Sequence, residues 1–307
     1  MPMDVETYLS LALDQPCPEQ ANGHSNAEIL NALNAPGVSV YHPCAEAYPG
    51  ADMASGKVHS FRAWESQRYF KDTIRDIWLY LPANQDDLSA LNLIVCNDGG
   101  GYLDRQGAVR ATAVLDTLHH QRRIAATAAI FIMPGRPKSN ADDFNAARQQ
   151  RSFEYDSLTP LYGEFILDEV MPFLEKEAGC GFSQSAENKI VCGISSGGIC
   201  AFTLAWHHPH AFTNVISHCG SFTNIRGGHE YPYLIRSSEK KPIKVFLQSG
   251  KQDASILFGD WPLANQTMAK ALAYAGYDYR FEFGEGGHSL RHAGALFADT
   301  LKWIWPE

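Results

Sequence analysis

The segment that most constrains the fold is Lys189–Gly198. The apolar run Lys189-Ile190-Val191-Cys192 leads directly into Gly193-Ile194-Ser195-Ser196-Gly197-Gly198, and an apolar stretch of helical spacing, Ser196–His207, follows. A strand that turns this sharply into a helix holds its central residue in a strained backbone conformation, and side chains on either side would collide. Gly193 and Gly197 remove those side chains, and Gly198 lets the helix lie close on the sheet. The Ser195 hydroxyl is then presented alone above the carboxyl edge of a sheet, at a helix N-terminus that favours developing negative charge.

Around this turn the chain alternates strand and helix. Leu91–Cys96, Ala125–Met133, Asn214–His218, Ile243–Gln248 and Tyr279–Phe283 read as strands. Ala108–His120, Leu158–Glu177 (with Pro172 inside it), Trp261–Ala275 and His292–Trp305 read as helices. Upstream, Lys57–Tyr69 and Thr73–Leu81 alternate apolar and polar residues, as half-exposed antiparallel strands do. Buried parallel strands are short apolar runs because helices cover both faces. The expected body is therefore one α/β domain with about eight strands, mostly parallel, over residues 57–307.

A serine nucleophile needs a base, and the base needs an orienting acid. His288 ends the run Gly284-Glu285-Gly286-Gly287 just beyond one strand, and Asp253 follows Gly250 just beyond another. Both positions lie at carboxyl ends of strands, where α/β sheets build their sites. Asp260 is the rival acid in the same loop. Oxyanion donors are expected from the Ser196 N–H and from the glycine loop after Asp98, at Gly100 or Gly101. Strand-end residues Tyr102, Arg151, Glu154, Tyr155, Asn224, Arg226 and Trp261 are the candidate substrate contacts. Arg151 and Arg226 together would suit an anionic acyl group; alternatively, Arg151 and Glu154 pair with each other to pin a long loop.

The chain resembles the esterase D / enterochelin-esterase branch of the α/β-hydrolases over about residues 57–305. The resemblance rests on the GISSGG turn, on RSFEYD at Arg151–Asp156, on FGDWPLANQTMAKAL at Phe258–Leu272 and on GGH at Gly286–His288. It implies the α/β-hydrolase fold without a large lid and a carboxylic-ester hydrolase with Ser195 as nucleophile, His288 as base and Asp253 as acid. Siderophore esters, feruloyl or acetyl groups on sugars, and S-formylglutathione are the substrates of this branch. The same residues also serve an acyltransferase, with an alcohol replacing water, a lactonase or a peptidase. From another class, a catalytically silent binding module could carry the same fold.

Charge and cysteines narrow the partners. The 307 residues hold 25 Lys+Arg and 34 Asp+Glu, a net charge of −9. Residues 1–56 contain seven of the acids and no Lys or Arg, so the remaining residues carry 25 − 27 = −2. A near-neutral body without basic clusters is a poor nucleic-acid or membrane binder, and no apolar run approaches the roughly 20 residues needed to cross a bilayer. Residues 1–56 are expected to form a separate acidic extension, serving as a packing arm or as a contact between copies in a homo-oligomer. Seven cysteines without regular spacing suit a reduced, cytoplasmic chain. No CxxC pair is present, His207, His208 and His210 crowd one turn, and neither a metal nor a cofactor is expected. A small-molecule ester is the expected ligand.

Overall fold

The structure, a computed structural model, describes residues 40–306. Two further stretches whose spacing predicts short helices, Val5–Leu13 and Ala27–Leu33, lie outside the described residues, as does Cys17. The two alternating stretches become strands β1 (Lys57–Glu65) and β2 (Thr73–Leu81), paired antiparallel with Lys57 opposite Leu81 and a slip between Phe61 and Trp64. The apolar runs become β3 (Asn92–Asn97), β4 (Thr127–Ile132), β5 (Lys189–Ile194), β6 (Asn214–His218), β7 (Lys244–Gln252) and β8 (Asp278–Gly287). Their order across the sheet is β1-β2-β4-β3-β5-β6-β7-β8, and Arg136–Pro137 adds a short ninth strand beside β2. From β4 through β8 neighbours are parallel, and β2 meets β4 antiparallel. This mixed, mostly parallel sheet flanked by helices is the α/β-hydrolase architecture.

Period-two alternation divides the core into two layers. Leu93, Val95, Val191, Val215 and Leu247 face one side, where they meet Phe202 and Leu204 as well as Met268 and Leu272. Ile94, Cys96, Ile190, Cys192, Ile216 and Phe246 face the other, against Val114 and Leu118 and against Phe297 and Leu301. The helices carrying these residues include α2 (Ala111–His120), α6 (Ser196–His207), α8 (Trp261–Tyr274) and α9 (Leu290–Ile304). Because both faces are covered, the central strands can be apolar throughout.

Three helical segments differ from the sequence expectation. The long helix is interrupted: α4 (Leu161–Phe165) passes through a π-helical turn at Ile166–Val170 into α5 (Met171–Ala178). The widened turn ends two residues before Pro172, which lacks the N–H that a regular helix would use. The stretch expected as a long loop is helix α3 (Phe144–Asp156), capped by the Asp143 carboxylate on the N–H groups of Asn145 and Ala146. Gly99–Leu103, expected as a glycine loop, forms the short helix α1 despite its low intrinsic propensity. A further short helix, α7, spans Tyr231–Ser237.

Residues just upstream of β1 contact the strands and helices that follow. The Tyr41 ring stacks on His292 at 4.0 Å, and its hydroxyl accepts the Glu285 N–H at 3.0 Å. Glu46 pairs with Lys302, and the Gly56 N–H donates to Asp116. Among the described residues no helix is long and apolar enough to cross a membrane.

Helix α3 also corrects two expectations about Glu154. It neither pairs with Arg151 nor lines a pocket; both its oxygens bind Arg75 of β2, at 2.7 and 3.0 Å, with both side chains fully buried. Removing one partner of such a pair leaves an uncompensated buried charge. Glu154→Ala should lower unfolding free energy by about 3–5 kcal/mol in urea denaturation. A loss below about 1 kcal/mol, the range of an exposed pair, would contradict this.

Candidate active site

Ser195 sits between β5 and α6 with φ 59° and ψ −122°, a conformation that a non-glycine residue adopts only when its surroundings impose it. Its N–H donates to the His218 carbonyl at 2.9 Å, and its own carbonyl accepts from Gly198, Ile199 and Ser221. A Cβ on Gly193 would lie 2.2 Å from the Gly197 carbonyl oxygen, so glycine is required there. These contacts hold the serine side chain half-exposed above the carboxyl edge of the sheet.

The strand ends then bring two more groups to it. Ser195 Oγ lies 2.9 Å from His288 Nε2, and His288 Nδ1 lies 2.6 Å from Asp253 Oδ1. A carboxylate can only accept, so Nδ1 carries the proton and Nε2 is left to accept the serine O–H. Asp253 is buried and anchored, taking the Ser249 hydroxyl on Oδ2 at 2.6 Å and the Ala254 N–H on Oδ1 at 2.8 Å. Asp260, the rival acid, instead caps α8 through the Leu263 N–H. β8 runs on to Gly287 and delivers His288 directly; a Cβ on Gly250 would lie 2.2 Å from the Gly286 carbonyl oxygen, so β7 and β8 meet closely here.

Ser221 was not anticipated. Its Oγ lies 3.2 Å from Ser195 Oγ and accepts the Trp261 indole N–H at 3.2 Å. With the Ser195 proton directed at His288, the Ser221 hydroxyl is the donor of this pair, giving a chain from Trp261 through both serines to the imidazole. Nothing in the local sequence distinguishes Ser221; β6 and the turn after it bring it there.

The expected oxyanion donors divide. Ser196 opens α6, where the first N–H groups have no intrahelical partner. The Gly100 N–H faces only Met133 Sδ at 3.4 Å, a weak acceptor. Gly101 is corrected: its N–H donates to the Asp98 carbonyl at 3.1 Å within the turn that starts α1.

Most of the expected substrate contacts are also corrected. Tyr102 is fully buried with its hydroxyl 2.8 Å from His218 Nδ1. Tyr155 is fully buried and its hydroxyl accepts the Asp98 N–H. Trp261 is 1% exposed, edge-on to His288 at 5.7 Å, and forms wall rather than lining. Arg151 grips Asp98 through two hydrogen bonds, so its charge is not offered to a ligand. Asn224 stays exposed. Arg226 donates to Ser152 and lines a cavity of about 700 Å³ with Phe153, Leu158, Leu161, Glu164 and Glu230. Two carboxylates beside one guanidinium do not make the anion site expected from Arg151 and Arg226. A larger hollow, about 970 Å³, opens at the opposite edge of the sheet, where Asn92, Asn214, Lys244 and Asp278 begin their strands.

Among the described residues, Cys219, Asp253 and His288 are the one set of three ligand-type side chains with their atoms within 4.8 Å. Burial and the adjacent Asp253 hold the Cys219 thiol well above its ordinary pKa, so it stays protonated, and both His288 nitrogens are engaged. The donor chemistry fits proton transfer better than metal ligation. The six described cysteines are all free thiols.

A family model described as "Putative esterase" matches residues 72–304. Iron(III) enterobactin esterase from Dickeya dadantii (strain 3937) is 24% identical over 265 residues, covering 78% of this chain and 53% of that protein. The chain thus spans about half the length of that relative. The enterobactin esterase of Shigella flexneri, solved in the presence of enterobactin, superposes with a TM-score of 0.63 at 19% identity, covering 88% of this chain and 62% of that one. A ferulic acid esterase from the anaerobic fungus Anaeromyces mucronatus superposes at 0.62 and 14% identity, covering 86% and 96%. At these identities the superpositions establish a shared fold.

The close packing at the turn makes a direct prediction. Gly193→Ala should destabilise the protein by about 3 kcal/mol, read as a lowered melting transition, because the Gly197 backbone cannot yield. An unchanged transition would show that the turn is looser than its contacts indicate.

Proposed function

Because the chain belongs to this esterase family, we propose that it is a carboxylic-ester hydrolase working through an acyl-enzyme on Ser195. The observation that carries the reading is the hydrogen-bond chain from Ser195 through His288 to the buried Asp253, at 2.9 and 2.6 Å.

In the first step Ser195 Oγ attacks the ester carbonyl carbon while His288 Nε2 takes its proton. Negative charge collects on the former carbonyl oxygen, where the Ser196 and Gly100 N–H groups are the proposed donors. The intermediate collapses, the bond to the alcohol oxygen breaks, and His288 returns the proton to that oxygen. Water then attacks the acyl-serine, again losing a proton to His288. Breaking the serine ester returns that proton to Ser195 and frees the acid. Throughout, Asp253 holds the imidazole in the tautomer that leaves Nε2 free to accept, and stabilises the imidazolium between transfers.

Relatives named for enterobactin and ferulic acid suggest esters whose acyl part carries an aromatic ring. Residues 57–307 form the proposed catalytic unit, with 1–56 as an extension to it.

Ser195→Ala should lower p-nitrophenyl butyrate turnover by about 10⁴-fold or more. Asp260→Asn should leave turnover near wild type, since that residue caps a helix. Wild-type turnover in Ser195→Ala would overturn the reading.

A further inference from the structure

We infer that Arg151 is a positioning residue for the oxyanion hole, acting through Asp98 and touching neither substrate nor Ser195. The inference rests on the acyl-enzyme reading above and extends it to the element that holds the donors in place.

The second donor segment begins where β3 ends. Asp98 turns the chain there with φ 52° and ψ 41°, a left-handed conformation that is unfavourable for a non-glycine residue. Immediately after it, Gly99–Gly101 open helix α1. The orientation of their N–H groups therefore depends on how firmly Asp98 is kept in this conformation.

Helix α3 grips Asp98 from two sides. Arg151 Nε donates to Oδ1 at 2.9 Å and Nη2 to Oδ2 at 2.7 Å, a two-point contact that fixes the plane of the carboxylate. One helical turn on, the Tyr155 hydroxyl accepts the Asp98 N–H at 3.3 Å, and the Arg151 guanidinium lies 5.4 Å from the Tyr155 ring centre. A lysine in place of Arg151 could offer charge but not the flat two-point grip.

The same segment is locked to the nucleophile turn. A Cβ on Gly197 would come within 2.9 Å of Asp98 Oδ2 and 3.2 Å of Asn97 Cβ. Asn97 Nδ2 donates to the Gly197 carbonyl at 3.1 Å, and Tyr162 donates to Asn97 Oδ1 at 3.1 Å. Asp156, the last residue of α3, is buried beside Ser196. Burial raises its pKa, against the opposing pull of Arg151, Ser196, Ser152 and Arg226. One helix thus braces both donor-bearing segments. Donors that must meet a developing charge need this rigidity, because a misplaced N–H loses most of its effect.

The test compares Arg151→Met, Arg151→Lys and Asp98→Asn in the full chain, with melting transitions recorded and p-nitrophenyl butyrate as substrate. Arg151→Met should lower kcat by about 10²-fold, the effect of a lost oxyanion donor, with KM within about twofold. Arg151→Lys and Asp98→Asn should show smaller kcat losses, about 10-fold, again at unchanged KM. Binding of butylboronic acid, whose tetrahedral adduct on Ser195 places an oxygen in the hole, should weaken by the same factor as kcat/KM. Inhibition by the product butyrate should not change.

If Arg151→Met does not fold, the two conservative variants carry the test. Wild-type kcat in the folded variants, or a loss confined to KM, would overturn the inference, as would boronate affinity that stays constant while kcat falls. Ser195→Ala separates the two levels. If it is inactive while the Arg151 variants are not impaired, only the positioning role fails. If it retains turnover, the acyl-enzyme reading itself fails.

Discussion

The site depends on a single strained residue. At φ 59° and ψ −122°, Ser195 occupies backbone space that costs on the order of 1–3 kcal/mol for a side-chain-bearing residue. It persists because hydrogen bonds hold it from both sides. The Ser195 N–H is tied to His218 at the end of β6, and its carbonyl gathers the N–H groups of Gly198, Ile199 and Ser221. The central strands on either side are apolar on both faces and covered by helices, so the turn has no looser arrangement available. Packing energy distributed over the sheet thus keeps one hydroxyl in a half-exposed, otherwise unfavourable position.

Parallel topology supplies the partners. Because β5, β6, β7 and β8 run the same way, their carboxyl ends open on one edge, and the turns after them collect Ser195, Ser221, Asp253 and His288 there. The β7 and β8 ends approach so closely at Gly250 and Gly286 that the acid and the imidazole are set by backbone contact rather than by long side chains. Asp253 has its two oxygens satisfied by Ser249, Ala254 and His288, which fixes its orientation. The arrangement has little slack.

Where local pattern decides structure, the sequence was readable. Alternation in Lys57–Leu81, the short apolar runs of the central strands, and the glycines around Ser195 and before His288 lead to the fold and to the residues that the structure brings together. Side chains whose place depends on distant segments were not readable. Arg151 and Glu154 look like partners three residues apart, yet they bind Asp98, just beyond β3, and Arg75 in β2. Tyr102, Tyr155 and Trp261 have polar tips that suit a pocket, but each finds its hydrogen bond in the interior. Helix α3 was hidden by its polar surface, although Asp143 carries a capping signal. Tyr41, Glu46 and Gly56, upstream of β1, all bond to the body.

The central claim is that an ester's acyl group passes through Ser195. Rapid acid quenching during p-nitrophenyl butyrate turnover, followed by mass spectrometry of the digested protein, tests it most directly. The account predicts one butyryl group on the peptide containing Ser195, accumulating within the first turnover and absent from Ser195→Ala. Steady ester hydrolysis with a burst of p-nitrophenol and the butyryl group on any other residue would contradict it.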